Sequence, residues 1–315
     1  MRVAILGSGG VGGYFGGRLA AHGTADVTFI ARGAHLAAMR DRGLRIESPD
    51  GNVTLPSVVA TDQPSTVGAV DVVLFAVKLY DTESALAMLP PMLASHTMVV
   101  PLQNGVESVD MLSKAIGRAH VAGGTCYVSA VISEPGVIKH TAMGRLIFGP
   151  LDGPPPQPLT DLHTACQDAG FEAVLSDRAV TEIWAKFARL SVFSGMTAVT
   201  RSPIGVIMDD PDLTAMATEA LYESFAVAKA SGIPLDEGVI PAIMKAHRAM
   251  PYGTKSSMLE DLERGRRLEL PFLSGTVARR GREFGVATPV HSFIATVLAP
   301  HVQGSGAGSS GLGRD

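Results

Sequence analysis

Cysteine is scarce in this chain: 315 residues hold only Cys126 and Cys166. Two cysteines exclude a disulfide scaffold and a multi-cysteine metal cage, fit a reducing compartment, and read as small buried apolar residues. An excess of one charge is also missing. The 26 Lys and Arg against 30 Asp and Glu leave a net charge of −4, so no basic surface for nucleic acid is implied. No apolar run reaches the roughly 18 residues needed to cross a bilayer, so no membrane partner is expected. The nine histidines form no short-spaced pair resembling a zinc site, and no metal is expected. Met1 runs directly into Arg2-Val3-Ala4-Ile5-Leu6, which does not read as a cleavable secretory signal, and a cytoplasmic protein is expected. With 46% hydrophobic and 18% charged residues, a disordered chain is excluded as well. At roughly 150 residues per domain, the length suggests about two domains.

What is present in the first half is alternation. Strand-like runs at Val3–Leu6, Asp26–Ala31, Asp71–Val77 and Thr97–Leu102 are separated by helix-like stretches at Gly10–Ala21, Ala34–Arg42 and Thr82–Leu93, the last interrupted by Pro90-Pro91. Alternation of this kind predicts a doubly wound α/β sheet with parallel pairing. Further β-prone stretches at Gly124–Ile132, Arg145–Phe148 and Glu172–Leu175 are expected to extend that sheet. Gly149–Pro158 is read as a surface loop on its prolines. After about Asp177 the chain turns helical, with helices expected at Arg178–Phe193, Asp212–Ser231, Leu235–Ala249, Ser257–Arg266, Leu273–Phe284 and His291–Pro300. The expected organisation is a nucleotide-binding α/β domain over 1–177, a helical domain over 178–303, and a disordered Gly- and Ser-rich tail over 304–315. There is no internal repeat.

Gly7-Ser8-Gly9-Gly10-Val11-Gly12 lies directly between the first strand and the first helix. A lone GxGxxG is weak, but strand, turn and helix here supply the context of a dinucleotide site. Gly7 permits the tight turn, Gly9 lets backbone approach a pyrophosphate, and Gly12 lets the helix sit close to the strand, while the N–H groups at the helix start hold the anion. Gly16 and Ala20 continue the small-residue face. About 20 residues on, a protein preferring NAD places an acid against the ribose 2′-hydroxyl. This chain has Ala31-Arg32-Gly33-Ala34-His35 and no acid, and the Arg32 fork suits a 2′-phosphate. NADP(H) is therefore the expected cofactor, with His35 a secondary donor candidate. Lys78 and Asn104 follow the next two strands, at the carboxyl edge where such sheets bind ligands.

In the helical half, Glu182-Ile183-Trp184-Ala185-Lys186-Phe187-Ala188 sets a lysine between two aromatics, and Lys186, Leu190 and Ser194 share a helix face. These residues together resemble the ketopantoate reductases (2-dehydropantoate 2-reductases). The motifs carrying the resemblance are Gly7-x-Gly9-x-x-Gly12 with Arg32, Val77-Lys78, Gln103-Asn104-Gly105, Glu182-Ile183-Trp184-x-Lys186, Lys255-Ser256-Ser257-Met258-x-x-Asp261 and Leu268-Glu269 followed by Gly275. They occur in family order over about residues 1 to 300. The resemblance implies a Rossmann domain joined to an all-helical domain, with NADPH and a small-molecule 2-oxo acid in the cleft between them. It further implies a homodimer through the helical domain and a place in pantothenate biosynthesis.

The chemistry implied is hydride transfer from the nicotinamide to a ketone carbon, with Lys186 as the general acid at the carbonyl oxygen. The resemblance assigns Glu269 to orient that lysine or the substrate hydroxyl, Asn104 to the substrate or nicotinamide, and Ser257 to the substrate carboxylate. Lys78 and Gly7, Ser8, Gly9, Gly10, Val11 and Gly12 serve the cofactor, Ser129 falls near a family cofactor contact, and Ser194 occupies a substrate position. The family pattern carries asparagines four and eight residues after the lysine, where this chain has Leu190 and Ser194. Between Glu269 and Gly275 the family's acid and asparagine give way to Leu270-Pro271-Phe272-Leu273-Ser274. Loss of hydrogen-bonding amides weakens grip on a polar substrate, which points to a 2-oxo acid with a more apolar side chain. Two rivals stand beside this reading: a β-hydroxyacid dehydrogenase, and an NADP-binding sensor without turnover.

Overall fold

A computed structural model describes residues 1–305. The expected tail at 304–315 lies outside the described residues from 306 onward. The described chain parts into two compact units. One comprises 1–103 and 107–183; the other comprises 104–106 and 184–305.

The first unit opens with β1 (Arg2–Leu6), α1 (Gly10–His22), β2 (Asp26–Ile30) and α2 (Gly33–Arg42). Then follow β3 (Leu44–Glu47), β4 (Val53–Leu55), β5 (Val59–Thr61), β6 (Val72–Phe75), α3 (Thr82–Leu86), β7 (Met98–Pro101) and α4 (Ser108–Ile116). The strands β5-β2-β1-β6-β7 form one sheet in that order, every pair parallel. Val3, Ile5, Val72–Phe75 and Met98–Val100 are buried, as strands covered on both faces must be. Strand order reverses between β1 and β6, so the turns after these two strands flank the switch point where such sheets bind ligands.

The unit continues with β8 (Ala122–Glu134), β9 (Val137–Pro150), α5 (Gln157–Asp168) and β10 (Ala173–Leu175). These three strands do not extend the first sheet, contrary to expectation. The Pro135-Gly136 turn, with Gly136 at φ +86°, folds β8 back on β9 as an antiparallel hairpin. The edge of β9 then pairs with β3 and β10, giving a second sheet in the order β10-β9-β3-β4. Helix α1 packs on both sheets through its glycines. A Cβ on Gly16 would lie 2.6 Å from Ile5 and 2.8 Å from Phe29, whereas one on Gly13 or Gly17 would meet Ile138 or Ile46 at 2.7 or 2.6 Å. The expected helix at Thr82–Leu93 shrinks to α3 and a separate 3₁₀ turn at Pro90–Met92, because proline disfavours helix at the residue before it.

Helix α6 (Ala179–Thr200) contains the division between the units. The second unit adds α7 (Ile204–Asp209), α8 (Pro211–Ala230), α9 (Ile240–Arg248), α10 (Ser257–Glu263), α11 (Ser274–Phe284) and α12 (Pro289–Leu298). Phe187, Val192, Met196, Leu221, Phe225, Val277 and Ile294 are buried in it. Gly195 lets α6 approach its neighbours, since a Cβ there would lie 2.9 Å from Ser274 Oγ and 3.1 Å from Ile294. The buried Glu223 carboxylate accepts from the Val290 and His291 amides at 2.8 and 3.0 Å, satisfying the N-terminus of α12.

Candidate functional site

The glycine loop of the first unit divides into glycines required by the fold and one that faces open space. Gly7 has φ +99°, and a Cβ on it would lie 2.6 Å from the Val77 nitrogen. Gly12 has no room for a side chain against the Gly7 carbonyl oxygen and Ile5, and Gly10 none against the Ala130 carbonyl of β8. A Cβ on Gly9 meets nothing within 4 Å among the described residues. Gly9 is also the N-cap of α1. It makes no side-chain cap bond, and the first turn contains no acid. The amides of that first turn, which have no intrahelical acceptor, are therefore neither consumed by a side-chain cap nor faced by an acid of the turn itself. These features fit a pyrophosphate. Ser8 contributes backbone only, because its buried hydroxyl donates to the Ile30 carbonyl at 3.1 Å.

Ser129 accepts from the Thr141 hydroxyl at 2.8 Å and adjoins Ala130, the residue lying over Gly10. The approach of β8 to the loop was hidden from sequence reasoning, although the extra glycine at position 10 was its trace. At the end of β2, Arg32 is exposed and its guanidinium reaches Asp81 Oδ2 at 3.5 Å. Lys78, also exposed, begins the 3₁₀ turn Leu79–Asp81. The acid at Asp81, 49 residues from Arg32, is a neighbour that local motif reading did not find. His35 is half-buried, and its Nδ1 accepts from the Gly136 amide at 3.1 Å. Burial pushes its pKa below the ordinary histidine value, with the Ser8 backbone opposing. A neutral ring engaged with the hairpin turn is a poor anion donor.

In the second unit, three of the expected polar residues meet. Lys186 Nζ donates to Asn104 Oδ1 at 3.0 Å, and Asn104 Nδ2 donates to Glu269 Oε2 at 3.3 Å. The amide's orientation follows from its partners: an ammonium only donates and a carboxylate only accepts, so oxygen must face Lys186 and nitrogen Glu269. Gly105, at φ +92°, supplies the turn after Asn104. Glu269 is buried, and its carbonyl receives the Phe272 amide of the turn Leu270–Phe272. Trp184 and Phe187 are buried on either side of Lys186, with their rings edge to face and the Arg280 guanidinium 5.4 Å from the Trp184 ring. A positive and a negative group are thus linked through one amide, an arrangement suited to placing a proton donor.

The other expected substrate residues lie differently. Ser194 is wholly enclosed, and its hydroxyl has no hydrogen-bond partner among the described residues; Ser191 and Ser274 share that condition. Ser257 is exposed as the first residue of α10. The cap of that helix is Ser256, whose Oγ accepts from the Leu259 amide at 3.1 Å. Among the described residues no His, Cys, Asp and Glu cluster suits a metal ion, and no helix is long and apolar enough to cross a membrane.

The profile described as "Ketopantoate reductase PanE/ApbA" matches residues 3–153, and "Ketopantoate reductase PanE/ApbA C terminal" matches 178–302. The 2-dehydropantoate 2-reductase of Mesorhizobium japonicum is 32% identical over 319 residues, covering 95% of this chain and 96% of its own. An uncharacterized oxidoreductase of Bacillus subtilis, YkpB, is 30% identical over 301 residues, covering 95% and 97%. The crystal structure of a PanE/ApbA family ketopantoate reductase from Ralstonia eutropha superposes with a TM-score of 0.87 at 34% identity, covering 96% of this chain and 98% of the other. Matched along both its α/β and its helical half, the chain belongs to the ketopantoate reductase PanE/ApbA family of oxidoreductases acting on CH–OH groups.

Proposed function

We propose that this chain reduces a 2-oxo acid to the 2-hydroxy acid with NADPH, as a 2-dehydropantoate 2-reductase or a close relative. The observation that carries the reading is the hydrogen-bonded series Lys186–Asn104–Glu269. A reduced nicotinamide, when bound, supplies the hydride to the ketone carbon. Negative charge then develops on the ketone oxygen, and the Lys186 ammonium stabilises it and gives up a proton, to be reprotonated from solvent. Asn104 fixes the ammonium by accepting one of its N–H groups. Glu269 fixes Asn104, because a flipped amide would set its NH₂ against the ammonium and its oxygen against the carboxylate. Ser257 takes the substrate carboxylate. On the cofactor side, the Gly9 face and the first-turn amides of α1 hold the pyrophosphate, and Arg32 takes the 2′-phosphate.

Leu190 favours a substrate more apolar than ketopantoate. It stands one turn beyond Lys186 on α6, where an amide side chain would grip a polar substrate group. Steady-state oxidation of NADPH and of NADH over a panel of 2-oxo acids tests both statements. We expect NADPH to be consumed with at least one 2-oxo acid and NADH to be used less well. No oxidation with any of them leaves the two rivals: turnover of β-hydroxyacids alone then favours that dehydrogenase class, and no turnover of either favours the nucleotide-binding sensor. A kcat/KM for ketopantoate above every apolar analogue dismisses the apolar preference.

A further inference from the structure

Gln103 belongs to a motif whose neighbour Asn104 has a role, yet its own side chain is fully committed elsewhere. It is buried; its Nε2 donates to the Val77 carbonyl at 2.9 Å and to Thr82 Oγ1 at 2.9 Å, and its Oε1 accepts from Ser108 Oγ at 2.7 Å. Thr82 Oγ1 in turn donates to the Leu79 carbonyl at 2.7 Å. Both amide hydrogens and the carbonyl oxygen are therefore used, and their direction is fixed, because the Val77 carbonyl can only accept. The amide grips the segment from Val77 to Thr82 at both ends.

That segment carries the charges beside the expected ribose site. Its first residue supports the glycine loop, since Gly7 lies against the Val77 nitrogen. Lys78 is the next residue, and the Asp81 amide donates back to the Lys78 carbonyl at 2.9 Å. Asp81 then reaches Arg32 at 3.5 Å. Without the amide of Gln103, the partly buried Val77 carbonyl loses this donor and the buried Thr82 hydroxyl keeps only its bond to the Leu79 carbonyl, so the turn holding Lys78 and Asp81 is held less firmly.

We infer that Gln103 is a positioning residue for the 2′-phosphate end of the cofactor site, acting through the Val77–Thr82 turn on Lys78 and, through Asp81, on Arg32. The inference rests on the NADPH reading proposed above. It concerns discrimination between phosphorylated and unphosphorylated ribose, a property that a merely structural role leaves unchanged.

Calorimetric binding of 2′,5′-ADP and 5′-AMP to the full chain is the test, since both probes lack nicotinamide and report the nucleotide end alone. The wild type is expected to prefer 2′,5′-ADP. In Gln103→Met that preference is expected to fall by about tenfold, with the Kd for 5′-AMP changed less than about twofold. Thr82→Val removes one partner of the amide more gently and should lower the preference in the same sense, while Thr82→Ser should keep it. An unchanged preference in Gln103→Met and Thr82→Val, or equal weakening of both probes, overturns the assignment and leaves Gln103 a structural residue. Equal affinity of the wild type for the two probes defeats the NADPH reading itself, and this inference with it.

Discussion

The Asn104 amide illustrates how little freedom a polar side chain retains between an ammonium and a buried carboxylate. Its two partners stand 82 and 165 residues away in the chain, so no local periodicity joins them. The lysine between Trp184 and Phe187 was visible in the sequence as an unusual charge, but its company was given only by the family resemblance. Arg32 shows the opposite case. The missing acid after β2 was readable from position alone, whereas the Asp81 partner needed the fold. Arg32→Asp is expected to shift the ratio of kcat/KM for NADPH over NADH toward NADH by an order of magnitude or more, because it exchanges a phosphate-binding fork for a ribose acceptor. An unchanged ratio in steady-state assays removes Arg32 from cofactor choice.

Helix α1 carries two kinds of glycine, and they predict different phenotypes. Gly16 is pressed on Ile5 and Phe29, so Gly16→Ala overpacks the core and is expected to cost about 1–3 kcal/mol in chemical denaturation. Gly9 faces open space at a non-positive φ, so Gly9→Ala should leave stability within about 0.5 kcal/mol yet weaken NADPH binding severalfold. Titration by fluorescence, run beside the denaturation curves, separates them; a Gly9→Ala protein that binds NADPH normally argues against the pyrophosphate lying there. The glycine spacing made this helix and its first sheet legible. The second sheet was not, because β3 and β4 are only four and three residues long and the pairing of β9 with β3 and β10 joins distant segments. Helix α7 was missed for its shortness, and α9 begins five residues later than expected because Asp236 caps a 3₁₀ turn at Glu237–Val239 ahead of it.

At the level of the whole molecule, two buried histidines couple stability to pH. Burial lowers the pKa of His291 to about 4, and burial with the Arg189 charge does the same for His247. A histidine lowered in the folded state binds fewer protons there than in the unfolded chain. Its contribution is complete above about pH 6.5 and is lost as pH falls from 6.5 toward 4, on the order of 3 kcal/mol per ring at the limit. Glu223 works in the opposite sense, since burial raises its pKa above the ordinary carboxylate value and protonation relieves that cost. The melting temperature should therefore decline between pH 6.5 and 5, and His247→Phe, which keeps the ring against Phe193, should flatten the decline. A melting temperature constant from pH 7 to 5 contradicts this coupling.

The claim on which the functional account turns is that the Lys186 ammonium meets the ketone oxygen in the transition state. Its most direct test is the steady-state kcat of wild type and Lys186→Ala on one 2-oxo acid, with the Kd for NADPH measured on both proteins. The account predicts a kcat lowered by about 10²-fold or more and a Kd within about twofold of wild type. A variant that turns over at the wild-type rate contradicts it.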